Sequence, residues 1–331
     1  MNDNAIFSLK VGIVGTGYAA KKRAEAIKSD RRCQLIAVTG GDCARRREFS
    51  QNFAIEAVDS WQELVDLPQL DLIFICTINQ GGGAIARAAI LAQKHVVVEY
   101  PLDLEAKVAA EVIELAAKQQ RLLHVEHIEI IGGLHQAVKE HLSQIGKVFY
   151  ARYETISSQH SVGHSWKYHR GKFGFPLSAA LSRVHRLTDL FGKVKSVTCS
   201  HRYWDGEDSD YFAACLCKAQ LNFHNGVMAE VTYGKGNVFW RSHRTLEIYG
   251  ERGKIFFEGE KGTLILGEHE REIPVVSRRG LFAKDTAMVL DYLGERQPLY
   301  IQPQASLDAL RVANAAKESS MTGKVVYLDR N

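Results

Sequence analysis

A glycine-rich segment near the start of the chain has the residue types that bind a phosphate. The run Val11-Gly12-Ile13-Val14-Gly15-Thr16-Gly17-Tyr18-Ala19-Ala20 contains the pattern G-x-G-x-x-A, which leaves an apolar strand and opens a helix. In this context Gly15 allows the tight turn, Gly17 lets the backbone approach a pyrophosphate, and Ala20 permits close packing of helix on sheet. Phosphates are favoured at a helix N-terminus by its free N–H groups and dipole. The segment predicts a dinucleotide site; an empty strand–helix turn is the structural alternative.

The end of the second strand indicates which dinucleotide is preferred. An NAD site usually has an acid there to bind the ribose 2′-OH, but this strand ends in Val38-Thr39-Gly40-Gly41. Asp42 lies beyond that point, and Arg45-Arg46-Arg47 follow. The missing carboxylate and the nearby guanidiniums favour a 2′-phosphate, so NADPH is predicted over a weaker use of NADH. A solvated charge run that opens a helix is the alternative.

The predicted cofactor contacts lie in the segments that follow the apolar strands. They are Gly15, Thr16, Gly17, Tyr18, Ala19, Gly40, Arg45, Arg46, Thr77, Ile78, Asn79, Glu99 and Tyr100.

Two arginines predict an anion site in the second half of the chain. Arg183 and Arg186 are three residues apart on a predicted helix, Ser178–Phe191, and therefore share a face. A guanidinium binds a carboxylate through two hydrogen bonds and can stack on a flat π-surface. Lys167, in the loop-like stretch before this helix, is a further candidate. A surface salt bridge is the alternative for the arginine site, and for Lys167 the alternative is a side chain that merely faces solvent.

The histidines suggest a proton donor more than a metal site. Strand alternation places His124 and Glu126 on one face and His127 and Glu129 on the other, so His124-x-x-His127 is a poor chelate. His127 titrates near neutrality and is a candidate to approach a substrate; a histidine hydrogen-bonded within the sheet is the alternative. Histidines 160, 164 and 169 are loosely spaced and no cysteine joins them. No metal site is predicted.

The elements that position these residues fall into two patterns. Up to His127, short apolar strands alternate with helices, which predicts an α/β Rossmann domain with a doubly wound parallel sheet. From Val148 onward, β-branched and aromatic strands dominate, with a hairpin turn at Asn225-Gly226, which predicts an α+β domain with a large, mostly antiparallel, open-faced sheet. We expect domains at residues 1–129 and 130–331, with the C-terminal helix as a candidate to pack back on the first domain.

Length and composition exclude several classes of protein. The chain has 331 residues, 46% of them hydrophobic and 24% charged, which is typical of globular proteins. No apolar run approaches the roughly 20 residues that span a bilayer, and the start of the chain lacks the apolar stretch of a secretory signal. Six scattered cysteines predict reduced thiols and a cytoplasmic location. A net charge of +4 without a basic stripe does not suggest nucleic acid.

The segment Lys94-His95-Val96-Val97-Val98-Glu99-Tyr100-Pro101 resembles the K-H-V-x-x-E-K-P signature of the glucose–fructose oxidoreductase / inositol dehydrogenase superfamily. In the sugar dehydrogenases of that superfamily the lysine assists proton transfer at a hydroxyl, and here Tyr100 takes its place. Counting back from Gly192, the later positions of their D-x-G-x-H-x-x-D motif fall on Ser178, Ser182 and His185. The resemblance implies an oxidoreductase, but these departures disfavour a sugar or cyclitol dehydrogenase, which is the alternative activity.

Further blocks resemble one branch of that superfamily, the biliverdin reductase family of the bacterial, cyanobacterial type. The blocks run in order over nearly the whole chain and are Val98-Glu99-Tyr100-Pro101, Leu123-His124-Val125-Glu126-His127-Ile128-Glu129, Phe173-Gly174-Phe175-Pro176, Leu181-Ser182-Arg183 and Leu190-Phe191-Gly192. The resemblance implies NAD(P)H-dependent reduction of biliverdin IXα to bilirubin. A hydride goes to the central methine carbon and a proton to a pyrrole nitrogen, without metal or flavin.

Under this resemblance the candidate residues acquire roles. Arg183, Tyr100 and Glu99 are the catalytic candidates, with Arg183 stabilising the electron-rich reduced pigment. Contacts to the pigment are expected from Arg183, Arg186, His127, Lys167 and Tyr100. The expected partner is a small tetrapyrrole, with no nucleic acid and no membrane, and the protein is expected to be a monomer or weak homodimer. A non-catalytic, NADP-sensing regulator is a third alternative, which the arginine site disfavours.

Overall fold

The chain divides into two compact units. The computed structural model describes residues 8–161, 163–206 and 208–328. Unit 1 comprises the chain up to Ile128 and the segment Arg279–Gln304, and unit 2 comprises Glu129–Arg278 and the chain from Ala305 onward. The domain boundary at residue 129 stays a prediction. The sequence analysis did not predict that the segment Arg279–Gln304 groups with unit 1. The long C-terminal helix groups with unit 2.

The first part of the chain alternates strands with helices. Its elements are β1 Leu9–Val14, α1 Tyr18–Ser29, β2 Cys33–Thr39, α2 Cys43–Phe53, β3 Glu56–Ala57, α3 Trp61–Asp66, β4 Leu72–Ile75, α4 Gly82–Leu91, β5 His95–Glu99, α5 Ala106–Lys118 and β6 Leu123–Glu126.

These strands form the doubly wound parallel sheet that the alternation predicts. The strand order is β3-β2-β1-β4-β5-β6, and every pair in it is parallel. The residues of β4 are all buried, as expected for a strand covered by helices on both faces. The order reverses direction between β1 and β4, and ligands bind at such a switch point, beyond the carboxyl ends of the strands. The predicted cofactor residues lie at or just beyond the carboxyl ends of β1, β2, β4 and β5.

The rest of the chain is richer in strands. Its elements are α6 Ile128–Ile131, α7 Gly133–His141, β7 Val148–Ser158, α8 Arg170–Phe173, α9 Pro176–Ala179, α10 Leu181–Phe191, β8 Val194–Asp205, β9 Phe212–Phe223, β10 Met228–Gly236, β11 His243–Gly250, β12 Gly253–Glu258, β13 Lys261–Leu266, β14 His269–Ile273, α11 Leu281–Glu295, α12 Pro303–Thr322 and β15 Val326–Tyr327, with short 3₁₀ helices at Leu142–Ile145 and Trp166–Tyr168.

Unit 2 has a large, mostly antiparallel sheet, as predicted. The strand order is β14-β13-β12-β11-β7-β10-β9-β8-β15, and among the described strands only the β7–β10 pair is parallel. Helices α9 and α10 pack on the central strands β9 and β10. The alternate residues of those strands point to the other face, where Lys218 has 58% of its side chain exposed. The helix-covered face is the one that positions the candidate site of unit 2.

The predicted helix Ser178–Phe191 is two helices. Pro176 opens α9, Ala180 has a non-helical backbone (φ −98°, ψ 30°), and α10 begins at Leu181. The two short strands β14 and β15 were also missed, because the sequence His269-Glu-Arg-Glu-Ile273 has little apolar alternation and β15 has only two residues. None of the described helices combines the length and apolar character that crossing a bilayer requires.

Candidate functional site

The turn after β1 has the shape of a phosphate cradle. Gly15 has φ +128°, and a Cβ added there would lie 2.2 Å from the carbonyl oxygen of Cys76, so no other residue fits. A Cβ added at Gly17 would meet nothing within 4 Å, so open space lies beside this backbone. Gly17 is the N-cap of the 12-residue helix α1, and no described side chain caps that end. The open space and the uncapped N-terminus fit a pyrophosphate in place of a side-chain cap.

The loop after β2 packs against this turn. Gly40 has φ +101°, and a Cβ there would lie 3.0 Å from the backbone nitrogen of Gly15. Asp42 is the N-cap of α2, where its carboxylate accepts a hydrogen bond of 2.9 Å from the backbone N–H of Arg45. That carboxylate is therefore used in capping the helix and does not occupy the position of the ribose-binding acid.

The two predicted phosphate-binding arginines differ in their surroundings. The Arg45 side chain is 74% exposed, and its only described ion pair is a loose contact of 3.4 Å with Asp42. The Arg46 side chain is only 13% exposed and is held 2.6 Å from the carboxylate of Asp59. Arg45 is therefore the more available group for a 2′-phosphate. Binding of the 2′-phosphate by Arg46 stays a prediction, and it requires the Arg46 guanidinium to leave the carboxylate of Asp59.

The remaining predicted cofactor contacts also lie at the carboxyl edge of the unit 1 sheet. Thr77, Ile78 and Asn79 are half-buried in the loop between β4 and α4. Tyr18 is 73% exposed at the start of α1, and its ring meets Phe282 edge-on at 6.0 Å. Glu99 is the last residue of β5, and 14% of its side chain is exposed. The structure thus gathers these residues on one edge of one sheet.

A buried arginine holds Glu99 in place. Arg23, on α1, is fully buried, and its Nε donates a 2.9 Å hydrogen bond to Glu99. The same guanidinium pairs with the buried carboxylate of Asp285 on α11 and donates to the hydroxyl of Thr286 at 3.1 Å. A buried charge is stable only when it is paired and hydrogen-bonded. Arg23 therefore ties α1, β5 and α11 together and fixes the direction of the Glu99 carboxylate.

The carboxylate of Asp285 is the centre of this network. It also accepts a hydrogen bond from the Tyr300 hydroxyl at 2.7 Å and binds His124 Nε2 at 2.8 Å. Burial alone would raise the pKa of Asp285, but Arg23 and His124 outweigh it and hold that pKa well below its usual range. Asp285 is therefore the permanent anion of the cluster.

Glu126 lies beside Glu99, since the two are register partners on β6 and β5. Burial, together with the charge of Glu99, raises the pKa of Glu126 well above its usual range. Its Oε2 accepts a 2.8 Å hydrogen bond from the backbone N–H of Ile128. Glu126 and His124 both point toward the Arg23 network, which is the face that strand alternation predicted they would share.

Tyr100 covers His127. The two rings stack with centroids 4.8 Å apart and planes 5° apart. His127 has no exposed surface, and its backbone N–H donates a 3.0 Å hydrogen bond to the Tyr300 hydroxyl. Tyr100 is half-buried and presents the outer face of the stack. A ligand at this edge would meet Tyr100 first, so the predicted contact of His127 with a substrate is not direct in this arrangement.

Arg183, at the start of α10, lies over the unit 2 sheet. Its guanidinium carbon is 5.8 Å from the ring centroid of Tyr233. Its Nε donates a 3.4 Å hydrogen bond to the Thr155 hydroxyl, and an Nη donates at 2.9 Å to the hydroxyl of Ser182. Two hydroxyls and an aromatic ring thus help to position this guanidinium. The residue as a whole is half-buried.

Arg186 shares that face, as predicted, but is 1% exposed. It pairs with Glu129 at 3.2 Å, and among the described residues its Nε and one Nη have no hydrogen-bond partner. Its guanidinium lies 5.8 Å from the ring of Tyr153. Burial would raise the pKa of Tyr153, but Arg186, Arg183 and Arg244 together lower it below its usual value. The helix-covered face of unit 2 is therefore strongly electropositive and has unused N–H donors.

The segment between β7 and α8 carries Lys167, whose side chain is exposed. His164 and His169 both lie edge-on against the ring of Tyr211, at 4.8 and 5.1 Å. His169 also caps α8, where Nδ1 accepts a hydrogen bond from the backbone N–H of Gly171. These histidines therefore have structural contacts, and among the described residues no three His, Cys, Asp or Glu side chains are grouped as a metal site requires.

A cavity of about 600 Å³ lies elsewhere in unit 2, and no predicted site residue lines it. Its walls include His185 and Asp189 from α10 and Asp308 and Arg311 from α12. Both signs of charge are present, so its lining does not select a bile pigment over other ligands.

Two family models match the chain. The NAD-binding Rossmann fold of the GFO/IDH/MocA oxidoreductase family matches residues 9–127, and the C-terminal alpha/beta domain of the same family matches residues 139–328. The chain belongs to the GFO/IDH/MocA oxidoreductase family.

Within that family the chain is similar to biliverdin reductases. A crystal structure of biliverdin reductase from Synechocystis sp. PCC 6803, in complex with biliverdin and NADP⁺, is 51% identical to it, with a TM-score of 0.93 over 94% of this chain and 98% of that chain. Mouse biliverdin reductase A is 29% identical over 57% of this chain, and the human enzyme 24% over 62%. The chain spans 60% of the length of the mouse enzyme and 66% of that of the human enzyme.

Sequence reasoning missed the buried residues that position the side chains of the candidate site. Arg23, Asp285 and Tyr300 have no local signal, because the partners of Arg23 are 76 to 263 residues away along the chain. Lys235 and Tyr153 lie on strands where burial is expected, and only the packed structure shows that aromatic rings surround Lys235 and that arginines surround Tyr153. A lysine within the alternating pattern of β10 was the one available signal, since a lysine is rarely buried unless it is paired.

Proposed function

We propose that this protein is an NADPH-dependent biliverdin reductase that converts biliverdin IXα to bilirubin. The observation that carries the proposal is the 51% identity, over 94% of this chain, to the Synechocystis enzyme in complex with biliverdin and NADP⁺. The arrangement of charged groups in each unit supports it, because one unit offers a dinucleotide cradle and the other a face suited to a large, flat dianion.

The cofactor is held by the edge of the unit 1 sheet. The pyrophosphate binds at the turn Gly15-Thr16-Gly17 and the start of α1, where the backbone is open and uncapped. Arg45 binds the 2′-phosphate, with Arg46 as a second group if it leaves Asp59. When bound, the reduced nicotinamide supplies a hydride, which the pigment accepts at its central methine carbon.

Arg183 acts on the pigment through its charge. A guanidinium has a pKa above about 12, so it is a poor general acid at neutral pH. It can instead stabilise the electron density that develops on the pyrrole rings, and it can stack on their flat surface. Arg186 supplies its unused N–H donors to a propionate carboxylate, and Lys167 supplies an exposed ammonium.

Tyr100 and Glu99 complete the site on unit 1. The phenol of Tyr100 can hydrogen-bond the nicotinamide or the pigment, and its ring is fixed by the stack on His127. We assign His127 to orienting Tyr100. Glu99, fixed by Arg23, binds the nicotinamide ribose or carboxamide.

The runner-up is a sugar or cyclitol dehydrogenase of the same family. Such an enzyme needs a group that removes a proton from a hydroxyl near neutral pH. Tyr100 stands where the lysine of that motif would be, and a phenol, whose usual pKa is about 10, keeps its own proton at neutral pH. A non-catalytic sensor of NADP would not need the electropositive face around Arg183. We further propose a reducing, cytoplasmic setting, since the six cysteines are free thiols.

The experiment mixes the purified protein with NADPH and biliverdin IXα at several pH values from acidic to neutral. We expect the long-wavelength biliverdin band to be replaced by the blue-absorbing bilirubin band. A parallel reaction with NADP⁺ and myo-inositol tests the runner-up and should produce no NADPH. An unchanged pigment spectrum at every pH would reject the proposed function, and NADPH formation in the parallel reaction would favour the dehydrogenase.

A further inference from the structure

A buried lysine lies on the helix-covered face of unit 2. Lys235 is in β10, where it pairs with Cys215 on β9 and Ser157 on β7. Only 7% of it is exposed. Lysine is almost never buried this deeply unless it is paired, because removing an ammonium from water is costly. The position therefore needs an explanation other than packing.

The ammonium of Lys235 has few partners. Its Nζ donates a 3.1 Å hydrogen bond to the main-chain carbonyl of Lys167. It lies 4.0 Å from the ring centroid of Tyr168 and 4.8 Å from that of Phe173. No carboxylate among the described residues lies within ion-pair distance of it. An ammonium on two aromatic faces is partly stabilised by the ring quadrupoles, but it keeps N–H bonds for a ligand.

Lys235 is next to the electropositive face around Arg183. Tyr233, whose ring lies under the Arg183 guanidinium, is two residues earlier on the same strand and so points to the same side of the sheet. Two residues along a strand are about 6.6 Å apart. Thr155, the hydrogen-bond partner of Arg183, is the register partner of Tyr233 on β7. A pigment stacked on Arg183 would therefore extend over the neighbourhood of Lys235.

Burial lowers the pKa of Lys235 to about 8, with the nearby thiol of Cys215 opposing the shift and Lys167 adding to it. Two groups that face the ammonium, the Cys215 thiol and the Tyr168 phenol, keep their protons near pH 8. Burial raises the pKa of Cys215 to about 12 and also raises the pKa of Tyr168. His169 lies between the two short helices that carry Tyr168 and Phe173, and its Nδ1 is used in capping α8.

We propose that Lys235 is the general acid that gives the pigment its proton, an assignment that rests on the proposed function. One N–H bond of the ammonium breaks and one N–H bond forms on a pyrrole nitrogen, while the pigment takes up the hydride of NADPH. The pigment gains two electrons and two hydrogens, and NADPH is oxidised to NADP⁺. The neutral amine that remains regains its proton from solvent. Arg183 supplies charge and Lys235 supplies the proton.

The test compares two substitutions with a control on the same sheet. Lys235→Met removes both charge and proton, whereas Lys235→Arg keeps a charge that does not act as an acid near neutral pH. Lys218→Met is the control, because Lys218 is 58% exposed on the opposite face, where its one ion pair among the described residues is with Glu230 at 3.0 Å. For each protein, kcat and the KM for biliverdin are measured between pH 6 and pH 9.5.

We expect the wild-type kcat to fall as pH rises through about 8, since the acid must be protonated. Lys235→Met should lower kcat by about 100-fold and abolish that alkaline fall. Lys235→Arg should keep the KM for biliverdin within about threefold but leave kcat as low as in the Met variant. Lys218→Met should match the wild type. A Lys235→Arg enzyme with near wild-type kcat, or a Met variant that keeps the alkaline fall, would overturn the assignment.

A measurement without substrate gives an independent result. Lysine labelled with ¹³C at Cε is incorporated, and the resonance missing from Lys235→Met is followed with pH. We expect it to titrate near pH 8, and a titration with an ordinary lysine pKa would reject the proposal. If the wild type does not reduce biliverdin at all, the proposed function fails and this role fails with it. If the wild type is active and only the Lys235 results disagree, the proposed function stands and this assignment falls.

Discussion

Arg183 and Arg186 are three residues apart on one helix, but their surroundings give them different roles. Arg183 is half-buried and lies against Tyr233 and Thr155. Arg186 is buried and paired with Glu129 at 3.2 Å. The buried guanidinium of Arg186 is already paired, so among the described residues only its Nε and one Nη are left for a ligand, whereas Arg183 as a whole is half-buried. The chemistry should therefore depend more on Arg183.

Arg183→Ala is expected to lower the turnover of biliverdin by more than about tenfold, which is about 1.4 kcal/mol of transition-state stabilisation. Its dissociation constant for NADPH should change less than about twofold, because its described contacts lie in unit 2. Steady-state kinetics and NADPH fluorescence titration measure the two effects. Arg202→Ala, which removes an arginine stacked 4.8 Å from Trp204, is the matched control. Unchanged turnover in Arg183→Ala would remove this residue from the mechanism.

Arg45→Ala should separate the two nicotinamide coenzymes. The exposed guanidinium of Arg45 is expected to bind the 2′-phosphate that only NADPH has. The KM for NADPH should rise by about tenfold, a size typical of one lost charge-assisted contact, and the KM for NADH should stay nearly constant. Arg47→Ala, on the same helix, serves as a comparison for general charge. If the KM values for both coenzymes rise equally, Arg45 attracts anions without recognising the 2′-phosphate.

The sequence indicated which residues would face a ligand. It did not indicate which buried residues would position them. The types and spacing of Gly15, Gly17 and Arg183 indicate their own chemistry, so they could be selected from the sequence alone. Arg23 and Asp285 are ordinary charged residues within helices. Their importance arises only because the fold removes them from water and places them together.

At the scale of elements, helix α11 is attached to unit 1 by a buried ion pair. Asp285 on α11 meets Arg23 on α1, and neither side chain has any exposure. Removing one partner of a buried pair leaves an uncompensated charge, which is far more costly than losing a surface pair. The attachment of α11 should therefore depend on this one contact more than on the charged residues of its outer face.

Asp285→Asn should lower the free energy of unfolding by about 3 kcal/mol or more, because Arg23 then keeps only part of its counter-charge. Asp291→Asn on the same helix is the control. Asp291 pairs with Arg32 at the surface and is 39% exposed, so its loss should cost less than about 1 kcal/mol. Urea unfolding followed by circular dichroism measures both. Equal destabilisation by the two substitutions would contradict the view that burial sets the energy.

Helix α10 should make the stability of the protein sensitive to acid. Burial lowers the pKa of His185 to about 4, against about 6.5 when the chain is unfolded. Below pH 6.5, His185 therefore binds a proton in the unfolded state but stays neutral in the folded state. The free energy of unfolding falls as the pH decreases toward 4. His135, which bonds Asp189 at 2.7 Å, has a pKa lowered in the same direction.

His185→Gln should remove roughly 2 kcal/mol of the stability difference between pH 7 and pH 5, because 1.5 pH units below the unfolded pKa correspond to about that energy. Urea unfolding at the two pH values gives the comparison within each variant, so a general loss of stability does not affect it. His243→Gln is the control, as His243 is 38% exposed beside Glu154. A pH dependence identical to that of the wild type would show that His185 titrates normally in the fold.

Most elements could be predicted, and the exceptions have physical causes. The β4 and β5 strands are short apolar runs bounded by turns, which is the pattern from which the alternation of strands and helices was predicted. The break at Ala180 was missed because Leu177-Ser-Ala-Ala-Leu181 is compatible with one continuous helix, and the fold rather than the local sequence divides it.

For the whole molecule, the sequence predicted two domains of different architecture because the hydrophobic period changes along the chain. The parallel sheet of unit 1 and the mostly antiparallel sheet of unit 2 confirm that prediction. The grouping of Arg279–Gln304 with unit 1 was not predictable, since an amphipathic helix shows that it needs a partner without showing which one. Tertiary contacts such as that of Arg23 with Asp285 determine which unit this segment joins.

Hydride transfer from a nicotinamide coenzyme to the central methine carbon of biliverdin is the step on which the proposed function depends. The most direct test uses NADPH carrying deuterium on either face of nicotinamide C4, followed by mass spectrometry and NMR of the bilirubin formed. We predict that one of the two labelled coenzymes delivers a single deuterium to the methine carbon, and that the other delivers none. Bilirubin formed without deuterium from either coenzyme, or no bilirubin at all, would contradict this hydride transfer.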